Sequence, residues 1–126
     1  MIILDLQILG GRGASFKKES KAGDPYSKEG IATLENYGAT RWQKYGRDRL
    51  YVRRLRDLLG IEIDRHNSGN IRRATLDGEV ISNARARRLL DSLDGAYVDL
   101  NGKKIVVEGR EEDRDYITKK VMELVK

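Results

Sequence analysis

The chain has 126 residues, of which 36% are charged and 39% are hydrophobic, and its formal net charge at pH 7 is +5. This length suits one domain with a single core, and the low apolar fraction predicts a thin core under a charged shell. The sequence contains no cysteine, which excludes disulfides, zinc ribbons, thiol catalysis and cysteine-held iron–sulfur clusters. No apolar run approaches the ~18 residues of a membrane span, and the N-terminus lacks the basic start of a secretory signal. We therefore expect a soluble cytoplasmic protein, acting inside a host cell, with no membrane partner.

Residues 1–30 are predicted to be an N-terminal strand followed by a flexible segment rich in glycine and lysine. Residues 2–9 fit an edge strand or one short helix, and the recurrence of apolar side chains at period 2 favours the strand. The glycine-rich run Gly10–Ser15 interrupts regular structure and serves either as a hinge or as a contact. Residues 16–30 have little apolar content and contain the only proline, which indicates a loop. The compact domain is therefore expected to span residues 31–126.

The centre of this domain is predicted to consist of short strands and turns. The predicted strands are 39–45, 49–52, 61–64, 71–76 and 79–81. Leu55, Leu58 and Leu59 have the spacing of a helical turn, which Gly60 would end. Asp77-Gly78 predicts a tight hairpin turn between the last two strands.

The C-terminal part is predicted to contain two helices and a hairpin. Ser82 is a good N-cap for a helix over 83–93, and apolar spacing predicts a second helix over 110–125. Between them, Asn101-Gly102 lies within β-forming residues and predicts a hairpin over 97–108 with a type I′ turn. Together the elements indicate an α+β fold, with a small antiparallel sheet and two or three helices packed on one of its faces.

The positive charge is concentrated in the middle of the chain. Residues 41–73 contain ten basic and four acidic side chains, which is a net charge of +6, and nine of the ten basic residues are arginine. The planar guanidinium group binds phosphate and carboxylate through two hydrogen bonds. We therefore expect these groups to gather on one exposed surface that binds an anionic partner. The alternative is a solvated face in which each cation has a local ion pair.

Aromatic residues lie among these cations. Trp42, Tyr45 and Tyr51 are interleaved with arginine and lysine, a combination that single-strand binders use for base stacking and phosphate neutralisation. Trp42 is also the only tryptophan, and a thin core could use it as an anchor instead. The candidate binding residues are Arg41, Trp42, Lys44, Arg47, Arg49, Arg53, Arg54, Arg72, Arg73, Arg85 and Arg88.

No catalytic motif emerges, and no cofactor or metal site is predicted. His66 is the only histidine, it lies in a segment of turn-forming residues, and we expect it to be exposed in a loop. Two carboxylate pairs, Glu62 with Asp64 and Asp77 with Glu79, have the residue types that hold Mg²⁺ for phosphodiester cleavage. We expect them to be solvated side chains, so the chain is predicted not to be an enzyme.

Part of the sequence resembles a small domain of bacteriophage and mobile-element proteins. The residues that carry the resemblance are Arg41-Trp42-x-Lys44-Tyr45-Gly46-x-Asp48-Arg49-Leu50-Tyr51-Val52, Gly69-Asn70-Ile71 and Ala74-x-Leu76-Asp77-Gly78-Glu79-x-Ile81-Ser82-Asn83. The Gly10–Ser15 run similarly resembles a tail of some phage head-associated proteins. The resemblance implies no catalytic residues, and small phage proteins of this kind include anti-CRISPR and other anti-defence inhibitors.

These observations predict a non-catalytic phage-type protein that docks on nucleic acid or on a host nucleoprotein and inhibits a defence nuclease. One alternative is an oligomeric interaction or phage assembly module that adds strands across an open sheet edge. A second alternative is a small metal-dependent nuclease that uses the four carboxylates.

Overall fold

The computed structural model describes residues 23–126, so the predicted strand at 2–9 and the Gly10–Ser15 run lie outside the described residues. The described chain forms three helices and two small antiparallel sheets, which confirms the α+β class. The helices are α1 (Lys28–Asn36), α2 (Asn83–Asp94) and α3 (Glu111–Leu124), and a 3₁₀ turn covers Arg53–Leu55.

The strands form two sheets, where one sheet was expected. The four-stranded sheet contains β1 (Thr40–Lys44), β2 (Arg47–Tyr51), β6 (Tyr97–Asp99) and β7 (Lys104–Val106), in the order β1-β2-β6-β7. The three-stranded sheet contains β3 (Ile61–Arg65), β4 (Ile71–Leu76) and β5 (Glu79–Ile81), in that order. The 3₁₀ turn after β2 carries the chain out of the first sheet, and Gly60, at a φ of 83°, precedes the start of the second.

Helix α1 begins at Lys28, inside the segment predicted to be a loop. The hydroxyl of Ser27 accepts a hydrogen bond from the N–H of Gly30 at 3.0 Å, which caps the first turn. Leu34 is fully buried, and a Cβ at Gly30 would overlap the carbonyl of Asp24. The predicted loop is therefore wrong at residues 28–30, because a capping serine begins a helix that the buried Leu34 and the partly buried Ile31 dock on the core.

The main core is formed by the helices, one side of the four-stranded sheet, and Ile61 and Leu76 of the three-stranded sheet. Its fully buried members include Leu34, Leu50, Leu89, Val98, Ile117 and Val121. The predicted apolar faces of the two C-terminal helices are confirmed, since their side chains are buried in this cluster or packed against it, except Ala86, which is buried in a smaller cluster with Ile71 and Ala74. Leu58 is the exception in the predicted helical turn, because it is 46% exposed while its neighbours Leu55 and Leu59 are fully buried.

The two glycine turns of the C-terminal half behave differently. Asp77 and Gly78 have φ values of 53° and 86°, so the predicted tight turn between β4 and β5 is confirmed. The predicted type I′ turn at Asn101-Gly102 is wrong, because the positive φ lies at Lys103. The carboxylate of Asp99 accepts hydrogen bonds from the N–H groups of Asn101 and Gly102 at 3.0 and 2.9 Å, and this local bonding produces a four-residue loop.

Candidate functional site

Side chains of the four-stranded sheet alternate between the core and the opposite side, which we call the outer face. Trp42 is paired in register with Arg49, and Tyr51 with Tyr97, so each pair lies on one side of the sheet. The outer face carries Thr40, Trp42, Lys44, Arg47, Arg49, Tyr51, Tyr97, Asp99, Lys104 and Val106. Within residues 23–126, none of these side chains belongs to the core cluster.

At the centre of the outer face, one guanidinium group packs against two tyrosine rings. The Arg49 guanidinium carbon lies 4.2 Å from the centroid of the Tyr97 ring, and Arg49 donates a hydrogen bond to the Tyr51 hydroxyl at 3.3 Å. The two tyrosine rings are 5.4 Å apart and tilted by 51°. This cluster is a cationic and aromatic surface held in place by strand pairing.

Trp42 extends this surface onto the edge strand β1. It is half-buried and lies outside the core cluster, so the interpretation of Trp42 as a core anchor is wrong. At the tip of the β1-β2 hairpin, Tyr45 is 84% exposed and has a φ of 53°, and the ammonium of Lys44 lies 5.0 Å from its ring centroid. Aromatic rings therefore lie along β1, β2 and β6 and at the hairpin tip.

The outer face carries an excess of positive charge. Its cations are Lys44, Arg47, Arg49 and Lys104, and its carboxylate is that of Asp99. One carboxylate oxygen of Asp99 is already an acceptor for two backbone N–H groups of the following loop. Arg47 and Lys104 are exposed and make no ion pair with a described residue, so their charges are free to meet an anion.

Arg41 does not belong to this surface. It is paired in register with Leu50, on the core side of the sheet, and binds Asp48 through two hydrogen bonds of 3.0 and 2.9 Å. The guanidinium of Arg41 holds the pKa of Asp48 below its usual value. This candidate residue therefore has a local ion pair that stabilises the β1-β2 hairpin.

Arg53 and Arg54 line a separate cleft of about 800 Å³ between the 3₁₀ turn, the β3-β4 loop and α2. We call it the arginine cleft. Its cationic residues are Arg53, Arg54, Arg56, Arg65 and Arg87. Asp91 and Asp94 also line it, and Arg53 lies 3.5 Å from the carboxylate of Asp94.

Arg72 and Arg73 lie on β4, in the three-stranded sheet. Arg72 is in an exposed ion pair with Asp64 at 2.8 Å, and Arg73 is the register partner of Asp64 across β3 and β4. Glu62 and Asp64 are both exposed, at alternate positions of β3, so the prediction that they share one side of a strand is confirmed. This side of the sheet has balanced charges and no excess of cations.

Arg85 and Arg88 face α3, where they approach a buried carboxylate. Asp113 has no exposed surface, and its oxygens lie 3.5 Å from Arg85 Nε and 3.8 Å from Arg88 Nε. These two arginines therefore join α2 to α3. The candidate arginines are thus divided between the outer face, the arginine cleft and local ion pairs, and the single continuous surface that we expected does not form.

The carboxylates that were considered for metal chemistry are dispersed. Asp77 lies 3.0 Å from the ammonium of Lys120, while Glu79 follows in the exposed part of the hairpin. Among residues 23–126, no three histidine or carboxylate side chains come together as a metal site would require. His66 is exposed in the β3-β4 loop, as predicted.

Several residues of these surfaces were not among the candidates. Tyr51, Tyr97 and Lys104 belong to the outer face, and Arg56, Arg65 and Arg87 belong to the arginine cleft. The outward position of Tyr97 could have been predicted from the sequence, because side chains alternate between the two sides of a strand. The apolar Val98 must face the core, so its neighbour Tyr97 faces the opposite side. The i, i+3 spacing places Arg85 and Arg88 on one face of α2 and Arg87 on another, but only packing decides which of these faces meets a carboxylate.

Comparison with known proteins finds no family model, no curated protein and no solved structure that matches this chain. Across residues 23–126, no helix combines the length and the apolar character needed to cross a membrane.

Proposed function

We propose that this chain binds single-stranded nucleic acid on the outer face of its four-stranded sheet. The observation that carries the proposal is the cluster of Arg49, Tyr51 and Tyr97, extended by Trp42 along the paired strands. The rings of Trp42, Tyr51 and Tyr97 are half-buried, and aromatic rings next to guanidinium groups offer stacking surfaces to unpaired bases. Bases inside a duplex are stacked on each other and cannot use such rings, which favours single strands.

The cations around the rings support the same proposal. Lys44, Arg47 and Lys104 lie on the outer face beside the rings, so a strand whose bases stack at the centre would place phosphates near the margin. If three or four phosphates are neutralised, log Kd should rise with log salt with a slope of roughly 2 to 3 for a single strand. Between 50 and 200 mM salt, this slope corresponds to a loss of affinity of roughly 20- to 50-fold.

The natural probe for this interaction is Trp42, because it is the only tryptophan in the chain. A base stacked on its ring should quench its fluorescence, so titration of the unmodified protein with oligothymidylate reports contact at the proposed site. Anisotropy of a labelled 12-nucleotide strand then gives Kd for DNA, for RNA and for the matching duplex. We expect both single strands to bind more tightly than the duplex.

Two variants on the outer face test the assignment, with a matched control. Trp42→Ala and Arg49→Gln should each weaken single-strand binding by about 5- to 150-fold, since the loss of one stacking partner costs about 1–3 kcal/mol. Tyr37→Ala is the control, because Tyr37 is 47% exposed at the C-terminal end of α1 and is not a residue of the outer face. Equal affinities of all three variants and the wild type, with circular dichroism showing folded protein, would refute the proposal.

We further propose that the bound single strand belongs to a host defence nuclease. A guide or target strand held by a host defence nuclease is one such strand, so an anti-defence inhibitor could act through the outer face. Capture of host nucleoproteins by the immobilised chain tests this, with nuclease treatment of the lysate and the Arg49→Gln variant as controls. Capture that survives both controls would point to a protein partner at another surface.

A further inference from the structure

The arginine cleft brings together cations from three separate segments of the chain. Arg53, Arg54 and Arg56 come from the 3₁₀ turn and the residues after it, Arg65 ends β3, and Arg87 lies on α2. Only tertiary packing places these segments around one cleft of about 800 Å³. Known ligand pockets have volumes of about 300–1,000 Å³, so this space suits a small molecule or the end of a chain.

Most of the positive charge in the cleft is not neutralised. Asp91 and Asp94 oppose the five arginines, which leaves a net charge of +3 among the lining residues. Two of the five arginines are in exposed and therefore weak ion pairs, Arg53 with Asp94 at 3.5 Å and Arg56 with Asp57 at 3.9 Å. Arg54 and Arg87 make no ion pair with any residue of the described range 23–126.

The neighbours of Arg87 on the same helix show that this arrangement is specific. Arg85 and Arg88 turn toward α3 and approach the buried carboxylate of Asp113. Arg87 faces the cleft instead and is exposed. The fold thus uses two arginines of α2 to join helices and leaves the third among like charges, where mutual repulsion lowers the stability of the folded state.

We propose that the arginine cleft is a second anion site, separate from the outer face, and that it binds a compact phosphate group with two or more negative charges. Guanidinium forks bind phosphate oxygens through paired hydrogen bonds. Arg65 is already oriented, since it donates one hydrogen bond to the carbonyl of Gly69 at 2.8 Å and keeps its other N–H groups. Several such forks around one cleft supply more donors than one carboxylate can accept, whereas the many oxygens of a polyphosphate can accept them.

The phosphate has two possible sources, a free polyphosphate or the terminal phosphate of a nucleic acid strand. The position of the cleft makes the second source reachable from the outer face. Arg53 follows Tyr51 by two residues, and Asp94 precedes Tyr97 by three, so the backbone separations are at most about 7 and 11 Å. The cleft therefore begins next to the end of the sheet that carries the two tyrosine rings.

Calorimetric titration of the full chain with sodium tripolyphosphate at 50 mM NaCl tests the site. We expect binding by the wild type, a loss of at least tenfold in the double variant Arg54→Gln/Arg87→Gln, and no change in the double variant Arg110→Gln/Arg114→Gln. Arg110 and Arg114 are exposed arginines outside the cleft, at and near the start of α3, so this variant controls for the loss of two charges. The melting temperature of the ligand-free double variant should be equal to or above that of the wild type, because repulsion is removed.

A second measurement identifies the source. Anisotropy with 5′-phosphorylated, 3′-phosphorylated and unphosphorylated 12-nucleotide strands should show at least a fivefold preference for one phosphorylated end if the terminal phosphate binds. Tripolyphosphate binding without this preference supports a free polyphosphate. The proposal is overturned if the wild type does not bind tripolyphosphate, or if the double variant binds it as tightly. The Arg49→Gln variant should retain tripolyphosphate binding, which separates a failure of the cleft from a failure of the outer face.

Discussion

The junction between α2 and α3 should depend on the charge of Asp113. Its carboxylate is fully buried and lies within 3.8 Å of both Arg85 and Arg88. With an effective dielectric constant near 20, each attraction is about 4–5 kcal/mol before desolvation, and burial of the carboxylate offsets several kcal/mol of this. Arg88 Nε and Asp113 Oδ2 are buried without a hydrogen-bond partner among the described residues, so charge is the main attraction between these two atoms.

The substitution Asp113→Asn keeps the shape of the side chain and removes its charge. Loss of one member of a buried pair costs about 3–5 kcal/mol, but both arginines are about one-third exposed and can regain water, so we expect about 2–3 kcal/mol. For a chain of this length, that corresponds to a fall in Tm of roughly 10 °C. Urea unfolding and thermal melts measure both quantities.

The adjacent Glu112 provides the matched control. It is 58% exposed and lies 4.0 Å from Arg85, so Glu112→Gln should change the free energy of unfolding by less than about 0.5 kcal/mol. If Asp113→Asn and Glu112→Gln give the same Tm within 2 °C, the buried carboxylate does not hold the two helices together and our assignment of Arg85 and Arg88 is incorrect.

Two further predictions concern stability. Leu34→Ala should lower the free energy of unfolding by about 2–5 kcal/mol, because Leu34 is the fully buried anchor of α1. The control Leu58→Ala, at a 46% exposed position, should lower it by less than about 0.5 kcal/mol. Similar urea midpoints for the two variants would contradict the docking of α1 through Leu34. The ammonium of Lys120 lowers the pKa of Asp77 in the folded state, so the stabilisation is complete above the unfolded pKa of about 4 and disappears as pH falls through the lower folded pKa. Asp77→Asn should therefore be less stable than the wild type by about 0.5–1 kcal/mol at pH 6, and a difference that persists in urea melts at pH 2 would show that the ion pair is not its cause.

Several local features of this fold could be predicted from short stretches of sequence. The serine before α2 accepts a hydrogen bond from the N–H of Arg85 at 3.1 Å, as an N-cap does. The Asp77-Gly78 turn has the two positive φ values that its residues favour. These predictions succeeded because the signal and the structure involve the same few residues. The Asn101-Gly102 turn failed because Asp99, two residues earlier, competes for the backbone N–H groups.

The predicted binding residues show that the distribution of charge along a sequence does not identify a binding surface. The excess of arginine over residues 41–73 is a property of the sequence, but the sequence does not show which cations have partners. Arg41 and Arg49 lie on neighbouring strands of one sheet, yet Arg41 binds Asp48 while Arg49 stacks on Tyr97. The alternation of side chains and the register of pairing decide this difference.

The sequence by itself determined the α+β class, most of the strands and turns, and the concentration of positive charge in the middle of the chain, because composition and short-range periodicity contain that information. Only the tertiary structure decided that the guanidinium of Arg49 packs on the ring of Tyr97, which follows it by 48 positions. It also decided that Arg87 faces a cleft while Arg85 faces Asp113. Such contacts join residues that are distant along the chain, and they depend on how strands pair and helices pack around a shared core.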